Sequence, residues 1–156
     1  MSSQLSIFLR NHEAAARAGL DLVRRAARNQ RRRPWGDELA ALALEAEEDL
    51  TSLRRLMRRL DVAPDALLGT ALRVGERAGR FKPNGHLVRR APLSDLVEVQ
   101  GVLGALTAKG AGWRALVAAH VADGGEPDLV ALVERADHQT ERLLAVHADV
   151  AARSLA

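Results

Sequence analysis

The chain has 156 residues, of which 47% are hydrophobic and 28% charged, with a formal net charge of +3. A chain of this length buries about 70% of its unfolded surface, so a single domain over residues 1–156 with one core is expected. The absence of cysteine excludes disulfides, thiolate zinc sites and a thiol nucleophile. The start has no secretory leader pattern, and no apolar run approaches the roughly 20 residues of a membrane span, so we expect a soluble cytoplasmic protein.

The first predicted helix covers about residues 3–28, with Ser3 as its cap. Its apolar and small residues recur at helical spacing, and His12 occupies one position of that inward seam. Gly19 lies in the same seam and is small enough to let a neighbouring helix approach closely. The helix ends in the link that follows, because the residue before Pro34 is pushed out of the α region.

Six arginines are concentrated at the end of this helix and in the link. They are Arg24, Arg25, Arg28, Arg31, Arg32 and Arg33. Cations suit the negative end of a helix, so a solvated surface is the favoured interpretation, with binding of phosphate or an acidic partner as the alternative. Nucleic acid is not an expected partner, because aromatic residues make up only 3% of the chain and tyrosine is absent.

The second predicted helix covers residues 38–60 and carries a long apolar stripe. Its inward residues are Leu39, Leu42, Ala46, Leu50, Leu53, Leu56, Met57 and Leu60. At 100° per residue, Asp49 lies about 40° from the middle of that face, Glu45 about 80° away and Glu48 nearly opposite. Asp49 is therefore predicted to be buried, and His12 is its first expected partner.

A connection of some 30 residues follows, over residues 61–91. Pro64 can begin a short helix that ends near residue 78, and Pro83-Asn84-Gly85 is a turn signal. So long a connection is not needed for a tight hairpin, but it can carry the chain back along a bundle. We therefore expect the third long helix to run parallel to the second.

The third predicted helix covers about residues 92–122, with a bend at Gly110-Ala111-Gly112. Its predicted inward residues are Leu93, Leu96, Val97, Leu103, Gly104, Ala111, Ala115, Ala118 and Val121, and Gln100 falls in the middle of that face. This phase leaves Val99, Leu106 and Trp113 on the surface. Such an apolar surface favours a homodimer.

The fourth predicted helix covers about residues 128–152 and places Gln139 and His147 on its inward face. Together the four helices predict a buried polar layer. Its members are His12, Asp49, Gln100, Gln139 and His147. One interpretation is a hydrogen-bonded network that fixes the register of the helices, since buried polar groups need partners. The other is a pocket for a small molecule or a metal.

Two long helical hairpins joined by a long crossover resemble the ferritin-like four-helix bundles. In that family each hairpin supplies a glutamate on its first helix and Glu-x-x-His on its second, which together hold two irons. The spacing gives counterparts without the histidines: Glu13 with Glu45 and Glu48, and Glu98 with Glu134 and Asp137. Glu13, Glu48, Glu98 and Glu134 also fall more than about 100° from the centres of their apolar faces. The resemblance therefore implies the ferritin-like fold without a di-iron site, and no cofactor is expected.

Several segments are also similar to a group of uncharacterised bacterial helical proteins. They are EAEEDLTSLRRLMRRLDV, GRFKPNGHLVRRAPLSDLVEVQG and GWRAL, and the similarity implies a fold without a function.

No nucleophile elbow and no phosphate loop is present. The leading interpretation is a non-catalytic structural or interaction module with a buried polar layer. A metal-binding oxidoreductase with a divergent carboxylate site and a small-ligand-binding bundle are the alternatives.

Overall fold

The computed structural model describes residues 3–65, 92–121 and 124–156, and within these ranges it forms four helices and no strand. The helices are α1 (Ser3–Asn29), α2 (Gly36–Arg59), α3 (Pro92–Ala118) and α4 (Leu129–Leu155). The predicted all-α architecture of four packed helices is confirmed. The short helix predicted in the connection lies, beyond residue 65, outside the described residues. No helix in the described ranges combines the length and apolar character needed to cross a membrane.

The ends of α2 and α3 are built in the same way. Asp61 and His120 follow these helices and have positive φ angles of 52° and 50°. The next residue, Val62 or Val121, donates its N–H to the carbonyl five residues earlier, at 2.8 and 3.0 Å, which is the Schellman pattern. Both valines are buried, so each helix end is fixed to the core. At the start of α4, the Asp128 carboxylate accepts two backbone N–H groups at 2.9 and 3.1 Å.

Contacts between neighbouring helices fix their directions. The pairs are Glu13–Arg54 and Arg24–Glu47 for α1–α2, His12–Gly112 and Leu22–Gly101 for α1–α3, Glu38–Arg142 and Glu48–Arg135 for α2–α4, and Arg114–Asp137 and Gln100–His147 for α3–α4. In each pair of helices, the residue numbers of the contacts rise along one helix and fall along the other, so all four pairs of neighbouring helices are antiparallel. Consequently α2 and α3 lie at opposite corners and run in the same direction, which is the direction expected for the third helix.

The apolar core consists of two clusters, one toward each end of the bundle. The first contains Leu20, Leu39, Val99 and Leu143, among others. The second contains Leu9, Leu56, Met57, Trp113 and Leu132, among others. Burying one such side chain contributes about 1.5–3 kcal/mol. Polar side chains and a cavity occupy the layer between the two clusters.

The inward face of α3 differs from the prediction. Leu93 and Val97 are 47% and 54% exposed, whereas Val99, Leu106 and Trp113 are buried. Gly104, Ala111, Ala115 and Ala118, also predicted inward, are exposed. The error has a physical cause: apolar and small residues lie on every side of α3, so hydrophobic spacing does not determine its orientation. The helix is continuous through Gly110-Ala111-Gly112 and ends at Ala118 instead of near residue 122.

Candidate functional site

Asp49 is the centre of a charged cluster inside the bundle. The apolar stripe of α2 turns its carboxylate inward, and the residue is only 3% exposed. It accepts hydrogen bonds from Lys109 of α3 and Arg135 of α4, and from Gln139 Nε2 at 3.3 Å. Lys109 also donates to the Gln139 side-chain oxygen. The carboxylate thus connects three helices, and Lys109 reaches it from the opposite corner of the bundle.

The cluster continues outward along the seam between α2 and α4. Gln139 Nε2 donates to Glu45 Oε2 at 2.9 Å, and Arg142 donates to Glu45 and to Glu38, both at 2.7 Å. Arg135, besides contacting Asp49, lies 3.0 Å from Glu48 Oε2. The charges alternate in sign and are hydrogen-bonded, which is the condition under which buried polar groups are tolerated.

Burial and ion pairing shift the pKa values of the charged groups in this cluster in opposite directions. For Lys109, burial lowers the pKa more than the adjacent Asp49 carboxylate raises it, so the net pKa lies below the usual 10.5. For Glu45, burial raises the pKa, but hydrogen bonds from Arg142 and Gln139 outweigh it, and the net pKa is below the usual value. Lys109 is therefore the group whose charged form is disfavoured by the interior.

A cavity of about 110 Å³ lies beside the Asp49–Lys109 pair. Its walls are mainly apolar side chains of α1, α2 and α3, including Ala16, Leu20, Leu42, Leu50, Val102 and Leu106. Four residues with polar side-chain atoms also line it: His12, Asp49, Lys109 and Trp113. The indole N–H of Trp113 is buried and has no hydrogen-bond acceptor among the described residues. Trp113, a residue of the cavity wall, therefore holds a buried donor without an acceptor in the described part of the chain.

His12 contributes the α1 side of the cavity. Its ring stacks on Phe8, with centroids 4.0 Å apart, and its Nδ1 lies 3.1 Å from the Phe8 carbonyl oxygen. A carbonyl only accepts, so Nδ1 carries a hydrogen and donates it to Phe8. A Cβ at Gly112 would fall 2.6 Å from His12 Nε2. The glycine therefore makes room for the ring against α3.

The structure brings together only part of the predicted polar layer. Asp49 and Gln139 are buried and hydrogen-bonded to each other, and His12 lines the adjacent cavity. No hydrogen bond joins His12 to Asp49 in the described part of the chain, because the carboxylate is occupied by Lys109, Arg135 and Gln139. Gln100 is exposed, 3.4 Å from His147 Nε2, so this pair belongs to the outer α3–α4 surface.

Sequence reasoning missed Lys109 and Trp113, which supply the amine and the unused N–H of the site. A signal for them exists, because Val102, Leu106, Lys109 and Trp113 follow one another at spacings of four, three and four residues. That spacing traces one face of a helix. This spacing alone does not identify the inward face, because a second apolar stripe, through Leu93 and Val97, runs along the other side of α3.

Five of the six carboxylates that correspond in spacing to the ferritin-like ligands contact cations or amides. Glu13, expected on the surface, is fully buried between α1 and α2, where Arg54 donates to its Oε1 at 2.8 and 3.0 Å. Its Oε2 lies 3.0 Å from Arg17 Nε, an ion pair whose angle does not make a hydrogen bond. Glu45 pairs with Arg142, Glu48 with Arg135, Glu98 with Asn29 and Gln30, and Asp137 with Arg114, while Glu134 is exposed. No group of three or more potential metal ligands occurs within the described ranges.

Half of the arginine cluster makes ion pairs within the bundle. Arg33 lies 2.8 Å from Asp95, Arg24 lies 2.7 Å from Glu47, and Arg25 lies 3.9 Å from Glu98. Arg28, Arg31 and Arg32 are exposed. The link is further held by buried Gln30, which accepts the Trp35 indole N–H at 2.6 Å. Gln30 Nε2 also donates to the Asp95 carbonyl oxygen and to Glu98, so Gln30 and Arg33 attach the link to α3.

No family model, curated protein sequence or solved structure matches the chain.

Proposed function

We propose that the bundle is a non-catalytic binding protein that takes a small, mostly apolar molecule into the cavity beside Asp49 and Lys109. The observation that carries this proposal is the Trp113 indole, which is only 4% exposed and whose N–H has no acceptor among the described residues. A buried donor without a partner costs about 1–3 kcal/mol. A ligand that supplies an acceptor oxygen would recover that free energy.

The volume and the charges of the site define the ligand class. An apolar cavity of about 150 Å³ in another protein stays dry and binds benzene, so a cavity of about 110 Å³ suits a molecule of a few carbon atoms. Asp49 already neutralises Lys109, and a ligand carboxylate would be repelled by the Asp49 carboxylate. The best-matched ligand is therefore neutral, with one carbonyl oxygen directed at Trp113.

The two tryptophans of the chain allow a direct test by ¹H–¹⁵N NMR. The Trp35 indole is already bonded to Gln30, whereas the Trp113 indole has no acceptor within the described ranges. Adding methyl propanoate, a neutral ester, is expected to move the Trp113 indole signal downfield and leave the Trp35 signal in place. Pentane, which lacks the oxygen, should bind without that downfield shift. An unchanged Trp113 signal with the ester would contradict the proposal.

A cavity-filling variant shows whether binding occurs at this site. Ala16 lines the cavity, so Ala16→Leu should fill it and abolish the response of Trp113 to the ester. Ala145 is exposed on α4, and Ala145→Leu is the matched control, which should keep the response. If both variants respond as the unsubstituted chain does, the ester binds elsewhere and the cavity is not the site.

A second candidate function is an interaction module that dimerises through the outer face of α3. Among the exposed described residues of that helix, only Arg114 is charged, and Leu93 and Val97 are half exposed. A Cβ at Gly104 would meet nothing within 4 Å, so Gly104→Arg can be introduced without disturbing the fold. In this case light scattering should give a dimer mass that Gly104→Arg reduces to a monomer mass and Ala145→Arg does not. A monomer mass for the unsubstituted chain would remove this candidate.

The ferritin-like relationship is also kept as a proposal. It is supported by the parallel direction of α2 and α3 and by the long connection between them, since both belong to that layout. The divergent metal-binding alternative has less support, because Glu13, Glu45 and Glu48 already contact arginines.

A further inference from the structure

The buried cation beside the cavity is a lysine, Lys109, which is unusual in a chain whose basic residues are nearly all arginines. The chain has 23 basic residues, and only Lys82 and Lys109 among them are lysines. A planar guanidinium makes the better ion pair with a buried carboxylate, and arginine takes that part at Glu13 and Glu45. A lysine differs from arginine in that its amine can lose a proton and act as a nucleophile. The cation at the cavity wall is thus one that can react.

We propose that Lys109 forms an imine with a small aldehyde bound in the cavity. This proposal rests on the proposed function, since it uses the same cavity and the same carbonyl-bearing ligand. The Lys109 nitrogen adds to the carbonyl carbon, and the carbonyl oxygen becomes the hydroxyl of a carbinolamine. Loss of that hydroxyl as water then leaves a carbon–nitrogen double bond to Lys109, with no change in oxidation state.

The surrounding groups can handle the protons of this sequence. Asp49 contacts the Lys109 ammonium and can accept its proton, and the same proton can return to the hydroxyl that leaves as water. Burial, which lowers the pKa of Lys109, favours the free amine. The other groups that face the pair are Glu45 from α2, Arg135 and Gln139 from α4, and His12 and Trp113 on the cavity wall. The Trp113 N–H can donate to the carbonyl oxygen and polarise it.

Reductive trapping with butanal tests the proposal. The intact chain is incubated at neutral pH with butanal and sodium cyanoborohydride, which reduces an imine to a stable amine, and the butylated residues are located by mass spectrometry. Lys109 is expected to be labelled at least about tenfold faster than Lys82, because the cavity beside Lys109 would hold the aldehyde within reach of its amine. Equal labelling of the two lysines, or labelling of Lys82 and the terminal amine alone, would overturn the proposal.

Two variants and a competitor assign the reaction to the cavity. Lys109→Arg keeps the positive charge but has no amine to label, so residue 109 should carry no butyl group. Lys82→Arg is the matched control, in which Lys109 should still be labelled. Methyl propanoate has no reactive aldehyde and should slow labelling of Lys109 without slowing that of the terminal amine.

If the ester shifts the Trp113 signal but butanal does not label Lys109, the cavity binds ligands and the imine proposal is wrong. If neither occurs, the proposed function fails as well. Labelling that the ester does not slow would place the reaction outside the cavity and overturn the proposal.

Discussion

Asp49 is a single carboxylate shared by two cations that come from two other helices. Removing its charge would leave Lys109 and Arg135 close together in the interior without compensation, and breaking a buried pair in this way typically costs about 3–5 kcal/mol. We therefore expect Asp49→Asn to lower the free energy of unfolding by about 3 kcal/mol in urea denaturation. The loss should appear as a lower midpoint with an unchanged slope.

Glu47→Gln is the matched control for this prediction. Glu47 is on the same helix and lies 2.7 Å from Arg24, but both side chains of that pair are substantially exposed. Exposed pairs contribute about 0–1 kcal/mol, so the control should change stability little. Equal losses in the two variants would mean that the buried cluster has no special role in holding α2, α3 and α4 together.

The burial of Asp49 and Gln139 could be predicted from sequence, and the identity of their partner Lys109 could not. Both α2 and α4 have one clear apolar face, so the position of a polar residue relative to that face indicates whether it is buried. The partner depends instead on which helices are opposite and how far a side chain reaches. Lys109 crosses the bundle to Asp49 from a helix whose own orientation the sequence did not determine.

At the scale of helices, α3 differs from its neighbours because it is apolar or small on nearly every side. The first residue of α3 was predictable, because Pro92 can begin a helix. Its inward face was not, because both possible stripes are apolar and only packing chooses between them. The stripe through Val99, Leu106 and Trp113 faces the core, which places Gly112 against α1 and Gly104 in open space.

Two glycine substitutions on α3 test this orientation. A Cβ at Gly112 would fall 2.6 Å from His12 Nε2, so Gly112→Ala should destabilise the protein by about 1–3 kcal/mol through overpacking. Gly104→Ala is the control, since its Cβ meets nothing within 4 Å. Alanine is favoured over glycine in an exposed helix by about 0.5–1 kcal/mol, so this variant should be more stable. Thermal or urea unfolding measures both, and the opposite ranking would mean that α3 is rotated from the orientation described.

The molecule as a whole has two apolar clusters separated by a layer that contains the charged cluster and the cavity. The apolar contacts of α1 with α2 and of α3 with α4 do not require that layer. On the α2–α4 seam, Arg135 and Arg142 join the two helices through Glu38, Glu45, Glu48 and Asp49. Ion pairs also join α1 to α2 and α3 to α4, through Glu13–Arg54 and Arg114–Asp137, so charge pairing and apolar packing together give the bundle a single register.

The composition of the chain makes its alkaline titration simple enough to test Lys109 through global stability. Tyrosine and cysteine are absent and arginine stays protonated, so between about pH 8.5 and 10.5 the lysines are the main groups that lose protons. The pKa of Lys109 is lowered in the folded chain and ordinary, at 10.5, when the chain is unfolded. In the window between these two values the unfolded chain binds more protons, so raising the pH increases the free energy of unfolding.

We therefore expect the unsubstituted chain to gain stability relative to Lys109→Met as the pH rises from the lowered folded-state pKa of Lys109 toward 10.5. Chemical denaturation of the two chains at several pH values gives the difference directly. The contribution of Lys82 is present in both chains and cancels to the extent that the substitution leaves its environment unchanged. A difference that stays constant or falls with rising pH would mean that the Asp49 carboxylate outweighs burial and holds the Lys109 ammonium in its charged form.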